Sequence, residues 1–196
     1  MGSNQSQPDT VKLLEGSQFL QQRNFKAAQE SYKQTLEREP ENLEAIYGLG
    51  IICQYEEKYE DAKNYFERAL SFCGENGAIL NSYGVVAANL GEDESARDSF
   101  EKAVQIDPKF LDAQKNLAEI YIATKEYEKG IETYQKILKQ HGDDIESLLN
   151  VARLYFEIQD VESTRFILEK VLGIDPKNKS AKDALEKLSE EELVQK

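Results

Sequence analysis

Small and apolar residues return along the chain in two alternating helical signatures. Ile46, Leu49, Gly50 and Cys53 are spaced i, i+3, i+4, i+7, which puts them on one face of a helix. After a short polar turn at Glu57-Lys58, Ala62, Phe66, Ala69 and Leu70 outline a second such face. Two antiparallel helices packed on each other are predicted. The motif recurs further on, where Leu117, Ala118 and Tyr121 are followed by Gly130, Tyr134 and Ile137. Turn residues set the period: Pro40, Gly74, Pro108, Gly142 and Pro176 stand 34 residues apart in unbroken succession.

Five repeats follow, at 9–42, 43–76, 77–110, 111–144 and 145–178, after a flexible start over 1–8. Within the repeat, position 8 reads Gly16, Gly50, Gly84, Ala118, Ala152, and position 20 reads Ala28, Ala62, Ala96, Gly130, Thr164. Small side chains there let the first helix (A) and the second (B) approach closely. Position 24, Tyr32, Phe66, Phe100, Tyr134 and Leu168, fills the space beside them. Proline or glycine at position 32 ends helix B. Asn42 and Asn178 are suited to N-cap the next A helix. Residues 179–196 start a sixth unit with a narrow stripe, Ala181, Ala184, Leu185 and Leu188, and stop after one helix.

These columns resemble the tetratricopeptide repeat, whose 34-residue unit carries the pattern W-x₂-L-G-x₂-Y…A-x₃-F…P. Leu49-Gly50, Ala62, Phe66 and Ala69 show it in the second repeat, and Leu117-Ala118, Tyr121, Gly130 and Tyr134 in the fourth. The departures are the lack of any Trp, Lys12 and Gln114 at the usually apolar position 4, and Glu15 at position 7. The resemblance implies an all-α, right-handed α-solenoid of five helix-turn-helix repeats closed by a capping helix over 179–196. It also implies a groove, lined by positions 2, 5, 6, 9, 12 and 13 of the A helices, that holds a peptide or helix of a partner.

Composition and charge then remove other functions. Hydrophobic residues make up 40% and Pro numbers only 4, enough core and little enough breaker for a folded array. A net charge of −13 and a pI near 4.7 speak against a nucleic-acid binder, which would show a basic stripe. Cys53 and Cys73 make neither a disulfide framework nor, with the one histidine His141, a zinc site. No glycine-rich phosphate loop or nucleophile–base pair occurs, so no catalytic residue, cofactor or metal is expected and the chain is not read as an enzyme. No stretch approaches 18 apolar residues and the first ten hold no apolar run, so neither a membrane span nor a signal peptide is expected. A cytoplasmic location follows by default. Met1-Gly2-Ser3-Asn4-Gln5-Ser6 fits both an acylation pattern and a plain start.

The candidate partner-binding groove grades along the chain. In repeats one to three Leu13, Tyr47, Ile51 and Tyr55, with Asn81 among them, make it apolar and aromatic, whereas Lys115, Asn116, Asn150 and Arg153 make it polar in repeats four and five. Asn116 and Asn150, one period apart at position 6, could each pair with the N–H and C=O of an extended strand. Lys115 and Arg153 beside them favour an acidic partner. The leading expectation is a non-enzymatic interaction scaffold or adaptor for a protein or peptide. The alternatives are a self-assembling scaffold that organises a larger complex as a homo-oligomer, and a co-chaperone. The five-residue carboxylate clamp of the family's co-chaperones matches here only through Asn116.

Overall fold

Each repeat's two apolar faces are realised as a pair of helices. The computed structural model describes residues 7–194, and among them every regular element is an α-helix, eleven in all. Two compact units divide the chain, residues 1–108 and 109–196. The first contains α1 (Gln7–Gln21), α2 (Phe25–Arg38), α3 (Leu43–Tyr55), α4 (Tyr59–Cys73), α5 (Gly77–Asn89) and α6 (Asp93–Ile106). The second contains α7 (Leu111–Ala123), α8 (Tyr127–Gln140), α9 (Ile145–Glu157), α10 (Val161–Ile174) and α11 (Lys179–Val194). Odd-numbered helices are the A helices and even-numbered ones the B helices. From Leu43 onward the A helices start every 34 residues, and from Phe25 so do the B helices.

At the N-terminus helix starts earlier than expected. α1 already includes Gln7 and Pro8, the proline falling in the first turn where a missing N–H leaves nothing unpaired. Residues 1–6, and with them the Gly2 acylation pattern, lie outside the described residues, as do residues 195–196 of the closing segment.

Side-chain caps mark six of the helix starts, whereas α4, α6, α7 and α8 begin without one. Asn42 Oδ1 accepts from the Ala45 N–H at 3.0 Å, and Asn178 Oδ1 from the Ala181 N–H at 3.0 Å. Asn24, Asn76, Asp144 and Asp160 act in the same way. The A–B turns share a feature that the sequence pattern did not disclose. Arg23, Glu57, Gly91, Lys125 and Gln159, all at position 15, have φ between 56° and 77°. The next N–H in each turn reaches back five residues, as from Lys58 to the Cys53 carbonyl at 2.9 Å. This is a Schellman ending, which favours glycine at the left-handed residue. Only Gly91 supplies one.

The position-24 rings explain the small residues around them. The Tyr32 ring lies between Gly16 and Gly48, and a Cβ on Gly16 would meet it at 2.7 Å. A Cβ on Gly50 would meet Phe66 at 2.5 Å, and one on Gly84 would meet Phe100 at 2.6 Å. The apolar clusters straddle repeat boundaries. Ala28 and Tyr32 pack with Ala45, Leu49 and Ile52, and Ala62 and Phe66 pack with Ile79 and Val86. In the second unit Tyr134 and Ile137 pack with Val151 and Leu154, and Leu168 and Val171 pack with Ala181 of α11. In these four clusters the core is shared between a repeat and the element that follows it, so the packing depends on the neighbour.

The departures from the repeat pattern have local solutions. Lys12 pairs with Glu15 at 2.8 Å on the partly exposed side of α1, while Gln114 is buried. Cys53 is buried and Cys73 exposed, both as free thiols. Burial pushes the Cys53 thiol above its ordinary pKa.

Candidate partner-binding face

Helix B covers positions 4, 7, 8 and 11 of its own A helix. What stays open is a stripe on the other side, at positions 5, 9, 12 and 13, where every described residue is half-buried or exposed. Position 6 behaves differently. It is exposed at Leu14, buried at Gly48 and Ser82, and half-buried at Asn116 and Asn150. Gly48 is closed by the Tyr32 ring, so this position belongs partly to the core.

In the first unit much of the expected apolar stripe is tied into the fold. Leu13 and Leu20 are partly buried against the Tyr32 cluster, and Tyr47 and Ile51 against the Phe66 cluster. The Tyr47 hydroxyl lies 3.1 Å from Ser82 Oγ, and its ring tilts 46° against Phe66 at 5.7 Å. Tyr55 remains 56% exposed, stacked on Phe25 at 5.3 Å with the Arg23 guanidinium 5.6 Å from its ring centre. Asn81 is half-buried on α5. The stripe therefore offers ordered, partly covered apolar surface in which Leu14 and Tyr55 stand furthest out.

In the second unit the polar residues hold one another. Tyr134 donates its hydroxyl to Glu119 Oε1, and Asn150 Nδ2 donates to that hydroxyl at 2.9 Å and to Glu119 at 3.3 Å. Arg153 Nη2 lies 3.6 Å from the other Glu119 oxygen, both side chains being about half exposed. Burial, together with the Glu119 carboxylate, raises the Tyr134 hydroxyl far above the ordinary tyrosine pKa, so it stays a donor. Lys115 bridges Glu146 and the helix-capping Asp144, the latter at 3.3 Å. The Glu146 contact raises the Lys115 pKa. Partial burial works against ionising Asp144, yet the Ser147 hydroxyl and Lys115 hold it below the usual carboxylate range.

Two expectations change as a result. Lys115 is neutralised by two acids of the chain itself. Asn150 is the polar partner of a buried tyrosine, so it presents no bare amide rung to a strand. Glu119, Glu146 and Ser82 are the residues that column-by-column reading undervalued. For the two acids a signal lay in the separation, since 115 to 146 and 119 to 150 are both 31 apart and both join α7 to α9.

Among the described residues no group of His, Cys, Asp and Glu could hold a metal ion, and no helix is long and apolar enough to cross a membrane. His141 is exposed at the end of α8.

The sequence profile of the tetratricopeptide repeat matches residues 19–71 and 91–148, and related profiles of the same repeat match 54–109 and 145–178. The chain is 24% identical over 163 residues to the protein O-mannosyl-transferase TMTC3 of Homo sapiens, a match covering 81% of this chain. It is 31% identical over 106 residues to the peroxisomal targeting signal receptor of Candida albicans, covering 53% of this chain. In each case the match spans 18% of the relative's length. Among solved structures it is similar to YrrB, described as a repeat protein of this kind with an unusual peptide-binding site. That likeness has a TM-score of 0.78 at 20% identity and covers 89% of this chain and 90% of YrrB.

Proposed function

The chain belongs to the tetratricopeptide repeat family, and from that premise we propose that it is a non-enzymatic scaffold holding a peptide or helix of a partner protein along the open stripe of its A helices. One observation carries this reading: positions 5, 9, 12 and 13 stay half-buried or exposed in repeat after repeat, whereas positions 4, 7, 8 and 11 of the same helices are largely closed by helix B. A row of half-covered side chains on rigid helices is a preformed surface, which lowers the ordering cost of binding. Leu13, Tyr47, Ile51, Tyr55 and Asn81 serve it in the first unit and Lys115 and Arg153 in the second, where Asn116 and Asn150 border it at position 6. The buried free thiol of Cys53 supports a reducing compartment such as the cytoplasm.

Self-association is the second reading, favoured by Val11 and Leu14 of α1, which are 51% and 59% exposed. Light scattering separates the two, since a monomer over a wide concentration range leaves only the partner-binding reading. For that reading the test is capture by the wild-type chain against two charge variants. Ile51→Glu with Tyr55→Glu should lose the captured partner, while Lys102→Glu on the outer side of α6 should keep it. Equal capture by all three would overturn the stripe as the binding face.

A further inference from the structure

Repeats one to four place an aromatic ring at position 24, and repeat five places Leu168 there. In the first three repeats the ring sits against position 8 of its own A helix, as Tyr32 on Gly16, Phe66 on Gly50 and Phe100 on Gly84. Position 6 of the following A helix also meets it, as Gly48 meets Tyr32 and Asn150 meets Tyr134. The corresponding residues around Leu168 are Ala152 at position 8 and Ala184, position 6 of α11. Leu168 and Ala152 are buried in the closing cluster of the second unit, and with Ala184 they form the floor of a site. The structure has an open pocket of about 550 Å³ at this place, with Ala152, Leu168, Ala184 and Phe156 among its walls. Phe156 is 40% exposed at its edge. Leu149, Asn150, Arg153, Thr164, Ser180 and Lys187 complete the lining, so two cations border the recess in a chain of net charge −13.

We propose that this pocket receives a bulky apolar side chain, a phenylalanine or leucine, from a partner segment whose flanking residues are acidic. The apolar floor of Ala152, Leu168 and Ala184, with Phe156 beside it, sets the apolar requirement, and Arg153 and Lys187 set the sign of the flanks. The inference rests on the partner-binding reading above and narrows it to one anchor. Arg153 keeps about half its side chain exposed while touching Glu119, so it can turn to an incoming carboxylate.

The probe is the peptide acetyl-Asp-Glu-Phe-Glu-Asp-amide, titrated into the full chain while the amide NMR signals are followed. Shifts centred on Ala152, Leu168 and Ala184 are expected, and they should be lost when the central Phe of the peptide is replaced by Ala. Leu168→Phe raises the floor of the pocket with the kind of side chain other repeats carry at position 24. Repeat four shows that a ring at position 24 coexists with alanine at position 8, in Tyr134 and Ala118. This variant should fold and bind at least roughly ten-fold more weakly, as loss of a central anchor does. Arg153→Glu with Lys187→Glu should weaken binding similarly, and added salt should weaken the wild type. Unchanged binding by Leu168→Phe overturns the pocket. Shifts confined to Tyr47 and Ile51 overturn the pocket while leaving the stripe as a binding face. No shift anywhere overturns the pocket alone, because the stripe is judged by the capture experiment.

Discussion

Tyr32 and Tyr134 occupy the same slot of the repeat in the two units, yet their hydroxyls end in different chemistry. Tyr32 donates to Ser17 at 3.4 Å, and Ser17 passes the bond on to Glu44 at 2.5 Å. Tyr134 donates to Glu119, which also meets Asn150 and Arg153. Ser17 and Glu119 are both position 9. One residue at the edge of the open stripe therefore decides whether a buried tyrosine is answered by a neutral hydroxyl or by a carboxylate that gathers a cation. The first unit consequently shows a largely apolar stripe and the second a linked polar one, on the same backbone. Burial of the ring is common to both; the side chain at position 9 is what differs.

The sharpest break of this comparison is removal of residues 179–196. In the second unit that exposes Leu148, Ala152, Leu168 and Val171 and discards the buried Ala181 and Leu188. At about 25 cal/mol per Å² of apolar surface the unit should lose roughly 4 kcal/mol or more. Urea unfolding followed by circular dichroism should show a low-denaturant transition for the second unit and an unmoved one for the first.

Next in size is the tyrosine pair itself. Tyr134→Phe removes a donor from a carboxylate and an acceptor from Asn150, and should cost about 1–2 kcal/mol. Tyr32→Phe breaks only a long bond to a hydroxyl and should cost a few tenths. Equal midpoints in urea would show that the polar network adds nothing to the ring. The asparagine test reads the same network. Asn150→Ala should lower the midpoint by about 1 kcal/mol, through a tyrosine hydroxyl losing its donor.

The left-handed turn residues sharpen the comparison without regard to unit. Glu57→Gly and Gln159→Gly should each stabilise by about 0.5–1 kcal/mol, since φ values of 58° and 63° cost a side chain more than they cost glycine. A fall in melting temperature would contradict the strain assigned there.

The smallest effect concerns pH. The pKa of Asp144 is lowered in the folded chain, so its contribution is present above the ordinary carboxylate pKa and disappears as pH falls through the folded value. Lys115→Ala should therefore cost a few tenths of a kcal/mol at neutral pH and almost nothing once Asp144 is protonated. Parallel stability curves for the two proteins down to acid pH would refute the pairing.

The sequence by itself determined the period, the helix pairs and the core. Small residues at 8 and 20 and a large one at 24 leave one way to pack two helices, and proline, glycine and asparagine mark where helices stop and start. Those signals are local, since each acts within a turn or a helix pair. The left-handed residue at position 15 was not legible, because packing imposes the turn and only Gly91 announces it. The open stripe was legible as a set of positions, but its chemistry was not. Column reading treats Lys115, Asn150 and Arg153 as free, while the tertiary structure pairs Lys115 with Glu146 and Asp144 and gathers Asn150 and Arg153 on Glu119. The recess at Leu168 belongs to the same class. No single column marks it, because its walls come from α9, α10 and α11, which only their packing brings together.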